Sequence, residues 1–213
     1  MEIVAYEEKR QKELCVRIAD VIRKGDVAVI PTDTVYGLIA DATNKAALKK
    51  IFAIKQRSQE KSLPVFVADV ASARRIAYIS DRKAKILEGI WPGPITIVLY
   101  HKGEFPEELT GGKNTIGIRI PAHPLLVSLL GIVAIPLAQT STNISGMPPA
   151  RSQEEISAYF GESREQPALF VDGGILDNRA SMVIDFTREN PLVLRSGLMQ
   201  KEDLDALLSS MEN

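Results

Sequence analysis

Three long cationic side chains, Lys55, Arg57 and Lys61, fall close together at the end of a predicted helix. A helix end followed by a turn can bring all three around one polyphosphate. Cations placed in this way offset the charge that develops in phosphoryl or nucleotidyl transfer. A run of charge is more often a solvated helix face, so spacing alone leaves that alternative open. The cluster indicates a phosphate site if further polar groups converge on it.

Two polar segments that follow predicted buried strands supply such groups. Residues 31–38, PTDTVYGL, open from a strand end into a polar turn, which indicates a site for a small polar molecule. Residues 140–143, TSTN, offer hydroxyls and an amide at the end of another strand, where sheets of this type tend to bind ligands. A capped turn without function explains the second segment equally well.

Arg119 lies inside the predicted strand TIGIRI, where an unpaired guanidinium is costly. A ligand carboxylate would pair with it through two parallel hydrogen bonds, and an internal Asp or Glu would serve equally well. If the ligand is the partner, Arg119 should lack an acidic protein partner in the ligand-free protein.

Several familiar catalytic sites are absent from the sequence. There is no GxGxxG, no serine-nucleophile elbow and no HExxH, and the two histidines stand in unrelated contexts. Gly112-Lys113 lacks the flanking residues of a phosphate loop. Asp172, Asp177 and Asp185 could form a magnesium site on paper, but surface and turn aspartates are commoner.

Length and composition are those of one globular domain, which we expect to span residues 1–213. Apolar residues make up 45% of the chain and the net charge is -1, so the protein should not coat a polyanion with its whole surface. The excess of lysine and arginine between residues 44 and 61 favours a local anion site instead. The N-terminus does not resemble a signal peptide, and no apolar run approaches the roughly 18 residues of a membrane span, so we expect a cytoplasmic protein.

Helix and strand patterns alternate early in the chain, whereas strands cluster later. This order predicts an α/β fold with a twisted, open, mixed sheet and helices on its faces. Asn44 should cap the helix that delivers Lys55, and Ser152 with Glu155 should form a capping box. Residues 103–114 are the best candidate for a lid, although an idle exposed loop fits equally well. Predicted strands span 27–30, 63–67, 95–100, 115–120, 135–138, 168–171, 182–186 and 192–195, and predicted helices span 6–24, 44–55, 123–130 and the regions from 71, 81, 152 and about 201.

Taken in order, these segments resemble one protein family. PTDTVYGL, Lys55-x-Arg57-x-x-x-Lys61, WPGPIT, TIGIRIPAHP, STNISG, SMVID and LRSG follow the order and spacing of the YrdC-like family, over nearly the whole chain from Ile30 to Gly197. Each segment is weak evidence alone, but seven in order are strong evidence. The length is similar to the bacterial form that lacks the additional C-terminal domain of longer relatives.

The resemblance implies a fold with a concave, locally basic face, and it implies threonylcarbamoyl-AMP synthase activity. In that reaction L-threonine, bicarbonate and ATP give L-threonylcarbamoyladenylate and pyrophosphate, and Mg²⁺ accompanies the ATP. Other proteins then transfer the threonylcarbamoyl group to tRNA. Family members have also been described as binding double-stranded RNA.

The resemblance also implies residue roles. Lys55 and Arg57 would be the catalytic cations. ATP would be bound by Arg57, Lys61, Thr115, Ser141, Asn143 and Arg195. Threonine would be held by Thr34, Arg119 and Ser181, with Arg119 on its carboxylate.

The chain departs from the family pattern at a few positions, which leaves two alternatives to the synthase. Phe66 stands where many relatives have a histidine near threonine, while Ser62 and Met182 also differ from the usual residues. A YciO-like paralogue that uses a different acyl substrate is therefore one alternative. The other is a module that binds tRNA or double-stranded RNA through the same basic concavity without chemistry.

Overall fold

The computed structural model describes residues 1–103, 105–176, 179–188 and 190–197, and its elements alternate as the sequence predicts. The described helices are α1 (Gln11–Arg23), α2 (Lys45–Lys55), α3 (Val70–Ile76), α4 (Asp81–Ile90), α5 (Glu107–Thr110), α6 (Pro124–Val133) and α7 (Gln153–Phe160). The described strands are β1 (Glu2–Ala5), β2 (Ala28–Ile30), β3 (Gly37–Asp41), β4 (Val65–Phe66), β5 (Ile95–Tyr100), β6 (Thr115–Arg119), β7 (Leu137–Ser141), β8 (Leu169–Asp172), β9 (Met182–Asp185) and β10 (Leu192–Arg195). The helix predicted from about residue 201 lies outside the described residues.

All of these strands join one sheet in the order β1-β8-β2-β3-β7-β4-β6-β5-β9-β10. The pairs β1–β8, β2–β8, β4–β6 and β5–β9 are parallel, and the other neighbours are antiparallel. The predicted α/β class with a mixed sheet is confirmed. Within the described part of the chain, no helix is both long and apolar enough to cross a membrane.

Two faces of the sheet are packed differently. On one face, apolar side chains of α2, α4 and α7 form a core with the strands, including Ile51, Leu87 and Phe160. On the other face, α1 and α6 pack together over the β2, β3 and β8 region, with Ile18 and Leu129 in that core. Burying each such side chain contributes about 1.5–3 kcal/mol.

Three elements were not expected from the sequence. Strand β3 follows directly from the turn in PTDTVYGL; it is buried along nearly all its length, so it has no alternation to mark it as a strand. Strand β1 is a short, largely exposed edge strand that pairs only with β8. Helix α5 lies inside the proposed lid, where Leu109 is buried and its carbonyl accepts a hydrogen bond from Leu63 N at 2.8 Å.

Strand β7 begins two residues later than predicted and ends later as well. Pro136 has no N–H for the ladder, so pairing starts at Leu137 and runs to Ser141 opposite β3. The shift places Thr140 and Ser141 on the strand itself, at its carboxyl end. Asn143 and Thr142 follow in the turn.

Candidate active site

A cavity of about 520 Å³ opens on the half of the second face that α1 and α6 leave uncovered. Strands β5, β6 and β9 form its floor, and their sequences alternate to suit it. In β6, Ile116 and Ile118 enter the core, whereas Thr115, Gly117 and Arg119 face the cavity. A small or polar residue at every second position leaves a concave surface that can take a polar ligand.

The cavity brings together most of the site residues predicted from the sequence. It is lined by Thr34, Arg57, Thr115, Arg119, Ser141, Ser181 and Arg195. Three predicted residues, Lys55, Lys61 and Asn143, do not line it. Lys55 and Asn143 lie directly beneath Ser141, and Lys61 is exposed on the turn beside Ser62, which does line the cavity.

The end of α2 sends Lys55 and Arg57 to different places. Asn44 caps the start of the helix, where its Oδ1 accepts hydrogen bonds from Ala46 N and Ala47 N. At the other end Gln56 adopts a left-handed conformation with φ 49°, and Arg57 N bonds back to Phe52 O at 3.0 Å. This turn stops the helix and directs the Arg57 side chain into the cavity.

Lys55 is buried, and its hydrogen bonds hold the turn after β7. It is 2% exposed, and its Nζ donates to Ser141 O at 2.5 Å, Asn143 O at 3.0 Å and Asn143 Oδ1 at 2.8 Å. Ser141 Oγ donates to the same Asn143 Oδ1 at 2.7 Å. Burial, together with the charge of Arg57, lowers the pKa of Lys55 to about 7, while the three acceptors match the three N–H groups of the ammonium. Lys55 therefore shapes the site from below.

Arg57 and Arg195 face the cavity without a carboxylate partner among the described residues. Arg57 donates to Ser62 O at 3.1 Å and Thr140 Oγ1 at 3.4 Å, and its buried Nε has no hydrogen-bond partner. Arg195 donates to Ser181 O at 3.0 Å and Ser181 Oγ at 3.1 Å. Burial lowers the pKa of both guanidinium groups, so an anion in the cavity would relieve an existing cost.

Arg119 has an internal acidic partner, Asp33, which is one of the two kinds of partner that the sequence left open. Its Nη2 lies 2.6 Å from Asp33 Oδ1, yet neither atom makes a well-directed hydrogen bond. Its Nε donates to Gly93 O at 2.9 Å and its Nη1 to Thr34 Oγ1 at 3.0 Å. Burial lowers the pKa of Arg119, and Asp33 partly offsets that effect.

Phe66 stacks beneath this group. The guanidinium carbon of Arg119 lies 5.7 Å from the centroid of the Phe66 ring, close enough for a cation–π contact. Phe66 is 1% exposed and does not line the cavity. Phe66 thus supports the arginine from below with an aromatic face.

Five residues at or beside the site were not assigned individually to ATP or threonine in the sequence analysis. Asp33 holds Arg119, Thr96 Oγ1 lies 3.2 Å from Ser181 Oγ, and Thr140, Lys113 and Asp185 line the cavity. The period-two alternation of β5 and β9 was a usable signal for Thr96 and Asp185. No local pattern marks Asp33, because its partner is 86 residues away in the chain.

The cations between residues 44 and 61 have different surroundings. Lys49 Nζ lies 3.6 Å from Glu108 Oε1, and Lys50 pairs with Asp26. Lys55 is buried and Arg57 points into the cavity. These cations therefore have different structural roles.

The described residues do not form a metal-binding site made of protein side chains alone. The described residues contain no group of three or more His, Cys, Asp or Glu side chains placed to hold one. Asp185 is the carboxylate that lines the cavity in that part of the chain, whereas Asp172 accepts a hydrogen bond from Tyr36 Oη at 3.3 Å and another from Gly174 N at 2.9 Å. Asp177 lies outside the described residues. A Mg²⁺ ion that came with a polyphosphate would thus be held mainly by the phosphates.

Comparison with known proteins decides the family. The Sua5/YciO/YrdC family model, described as "Telomere recombination", matches residues 20–197. The chain belongs to this family. The threonylcarbamoyl-AMP synthase of Pyrococcus abyssi is 33% identical over 216 residues, which cover 99% of this chain and 62% of that protein.

Solved structures of the Sua5/YciO/YrdC family share the fold. A crystal structure of P. abyssi Sua5 complexed with L-threonine is 31% identical with a TM-score of 0.89, and the match covers 97% of this chain and 61% of the other. The crystal structure of Escherichia coli YciO is 26% identical with a TM-score of 0.82, covering 93% and 96%. This chain thus spans less than two thirds of the P. abyssi protein but nearly all of YciO.

Proposed function

We propose that this protein is a threonylcarbamoyl-AMP synthase, a nucleotidyltransferase that joins L-threonine, bicarbonate and ATP. One observation carries the proposal. Arg57 and Arg195, both partly buried, face the same cavity as Thr34, Arg119 and Ser181, and no carboxylate among the described residues neutralises either arginine. Such a cavity can bind a ligand with several negative charges beside a second polar ligand.

The threonine side of the cavity consists of Thr34, Arg119 and Ser181. Arg119 Nε bonds Gly93, Nη1 bonds Thr34 and Nη2 lies beside Asp33, which leaves the second N–H of Nη1 to bind the threonine carboxylate. Asp33 and Phe66 hold the guanidinium in place for that contact. The P. abyssi Sua5 complex with L-threonine supports this choice of ligand.

The nucleotide side consists of Arg57, Thr115, Ser141 and Arg195. Arg57 and Arg195 would bind the phosphates, with Lys61 reaching in from the exposed turn. Lys55 and Asn143 would fix the turn that carries Ser141, whose hydroxyl would rotate away from Asn143 Oδ1 to donate to a phosphate. Lys55 acts through other residues, so we assign it a positioning role and leave Arg57 as the catalytic cation.

These positions support a two-step reaction. The threonine amine attacks the carbon of bicarbonate and water leaves, which gives a carbamate. A carbamate oxygen then attacks the α-phosphorus of ATP, and the bond from that phosphorus to the departing pyrophosphate breaks. The arginines bring two anions together against their repulsion and stabilise the charge on the transferring phosphate. Mg²⁺ bound to the ATP would neutralise further phosphate charge.

The product is an activated acyl adenylate, so its carbamoyl group must pass to an acceptor. We propose that separate proteins transfer it to tRNA in the cytoplasm, where ATP and bicarbonate are also found. Direct binding of tRNA or double-stranded RNA remains a secondary proposal, and the dispersal of the Lys45–Lys61 cations does not favour it.

A YciO-like activity on another amino acid or acyl group is the second candidate. The match with E. coli YciO covers 96% of that chain, and Phe66 replaces a histidine expected near threonine.

Amino-acid profiling separates the two functions. Pyrophosphate release from ATP with bicarbonate should be fastest with threonine and at least ten-fold slower with serine or glycine, since the pocket then loses methyl or hydroxyl contacts. Equal rates with several amino acids, or a faster rate with another, would contradict the synthase and favour the paralogue.

A further inference from the structure

Asp185 contributes a carboxylate to a cavity whose other charged side chains suit an anionic ligand. Asp185 is the last residue of β9 and lines the cavity together with Val98, Val183 and Leu194. Its side chain is 16% exposed. A carboxylate would repel phosphate or the threonine carboxylate at close range, so its place in the cavity calls for a ligand group that donates hydrogen bonds.

The sheet register fixes where this carboxylate stands relative to the arginines. Val98 pairs with Gly117 on one side and with Asp185 on the other, which makes one row across the cavity floor. The next row along the strands contains Thr96 and Val183, and it continues to Arg119 because Ile97 pairs with Ile118. Side chains on one face are two residues apart, so the rows are about 7 Å apart. Asp185 is one row farther from the threonine pocket than Arg119.

The two oxygens of Asp185 have different surroundings. Oδ1 accepts hydrogen bonds from Thr187 N at 2.8 Å and Thr187 Oγ1 at 2.6 Å. Oδ2 lies 3.8 Å from Nε of Arg188, whose side chain is 68% exposed, so this pair is weak. One carboxylate oxygen thus holds the turn, and the other is left to accept from a ligand.

Asp41 shows what the turn alone requires. At the end of β3, Asp41 Oδ1 accepts from Thr43 N at 2.8 Å and Thr43 Oγ1 at 2.7 Å, the same local arrangement in the same Asp-x-Thr sequence. Asp41 does not line the cavity. The two aspartates differ in their access to the ligand, which makes Asp41 a matched control.

We propose that Asp185 accepts hydrogen bonds from the ribose hydroxyls of the bound nucleotide and so selects ribonucleotides over deoxyribonucleotides. This inference rests on the proposed function. In that reaction the α-phosphate must lie beside threonine, and the ribose comes next along the nucleotide. The sugar would therefore lie at the row of Asp185, which is farther from the threonine pocket, and its C–H face would contact Val98 and Val183.

A ribose fits these surroundings better than a metal ion. A magnesium site needs several oxygen donors, and the described residues provide no cluster of acids around Asp185. The floor beside it holds Gly117, where an added Cβ would meet Pro64 Cβ at 3.0 Å and Thr96 Cγ2 at 3.1 Å, so that row is narrow. Vicinal hydroxyls supply the donors that a free carboxylate oxygen accepts.

Isothermal titration of ATP, 2′-deoxy-ATP and 3′-deoxy-ATP into the protein, with threonine and Mg²⁺ present, tests the proposal. The wild type should bind ATP about ten-fold or more tightly than either deoxynucleotide, as expected for hydrogen bonds to a charged acceptor. In Asp185→Asn the amide can still bond Thr187 through its oxygen, but the charged acceptor for the hydroxyls is lost, so the preference should fall several-fold. Asp41→Asn should keep the wild-type preference.

The outcomes separate this inference from the proposed function. Equal affinity of the wild type for ATP and 2′-deoxy-ATP would overturn the ribose contact and leave the synthase standing, and this measurement does not depend on the folding of any variant. Binding of no adenine nucleotide at all would overturn both. If Asp185→Asn retained the sugar preference but lost the Mg²⁺ dependence of ATP binding, Asp185 would be a metal ligand and the proposal wrong.

Discussion

Lys55 and Arg57 are two residues apart and have opposite surroundings. Both belong to the cationic cluster that first indicated a phosphate site, and their spacing could not show which would be buried. The left-handed Gln56 between them decides it, because it ends α2 and turns the chain. Seven of the ten residues assigned to the site line the cavity, but the division into contacting and supporting residues depends on contacts between distant segments.

Loss of Lys55 should therefore damage the fold and the site together. Lys55→Met removes three hydrogen bonds, and each buried oxygen that is left without its donor costs about 1–3 kcal/mol. Urea unfolding should show a loss of that order, and the folded fraction should bind ATP more weakly. Lys49→Met, on the exposed face of the same helix, should change stability by less than about 0.5 kcal/mol. A stable Lys55→Met protein with normal ATP affinity would remove Lys55 from the site.

The pKa of Lys55 also predicts opposite effects of pH on stability and ligand affinity. In the folded protein this pKa is about 7, against an ordinary value of 10.5, so between these values the unfolded state binds more protons. The free energy of unfolding should rise with pH in that window, by about 2 kcal/mol from about pH 7 to about pH 9 relative to Lys55→Met. ATP affinity should fall over the same range, because a neutral amine has only two N–H groups for three acceptors. Parallel trends in both quantities would contradict this account.

Arg119 provides a test of the threonine side. Arg119→Lys keeps the charge but loses the planar group that bonds Gly93 and Thr34 while facing Asp33. Threonine should raise the melting temperature of the wild type and do so much less for the variant, while the shift produced by ATP should be retained. Thermal melts with threonine, glycine or ATP measure this. An undiminished threonine shift in the variant would restrict Arg119 to the structural ion pair.

Strands β5, β6 and β9 could be predicted closely because each alternates core and cavity residues. Strand β3 could not be predicted, because both of its faces are buried and its sequence therefore shows no alternation of polar and apolar residues. The start of β7 moved because Pro136 cannot donate to the ladder and β3 supplies the register. Local patterns thus locate the cavity floor, and strand pairing determines which residues reach it.

The contact between the end of β10 and the start of β9 should tolerate no added side chain. A Cβ on Gly197 would lie 2.2 Å from Met182 N and 2.6 Å from Ser181 C, and backbone cannot yield as a side chain can. Gly197→Ala should push β10 outward, break the bonds from Arg195 to Ser181 and lower ATP affinity at least ten-fold.

A second glycine serves as the control for this change. Gly131, in α6, has open space around its Cβ position, so Gly131→Ala should stabilise the protein by about 0.5–1 kcal/mol and leave ATP affinity unchanged. Titration calorimetry and thermal melts on both variants give the comparison. Normal ATP binding by Gly197→Ala would show that the position of Arg195 is unimportant.

At the scale of the whole molecule, the site arises from incomplete coverage of one sheet. Helices α1 and α6 are packed over one half of the second face, and the other half is left open above β5, β6 and β9. Because β1 and β10, from opposite ends of the described chain, belong to the same sheet, we propose that the described residues form one domain; the rest of the predicted domain, 198–213, lies outside them. The order of elements suggested the mixed sheet, but which half would remain open depends on the pairing of α1 with α6, more than 100 residues apart.

The most direct test of the central claim is the incorporation of carbon from labelled bicarbonate into an adenylate. With ATP, threonine and ¹⁴C-bicarbonate, the purified protein should form a labelled adenylate and an equal amount of pyrophosphate, and omission of any one substrate should abolish both. Arg57→Gln and Arg195→Gln should each slow this at least ten-fold, on the order of 1.4 kcal/mol or more, whereas Arg74→Gln, an exposed arginine paired with Asp81, should not. A folded protein that binds ATP and threonine yet forms no labelled adenylate would contradict the account.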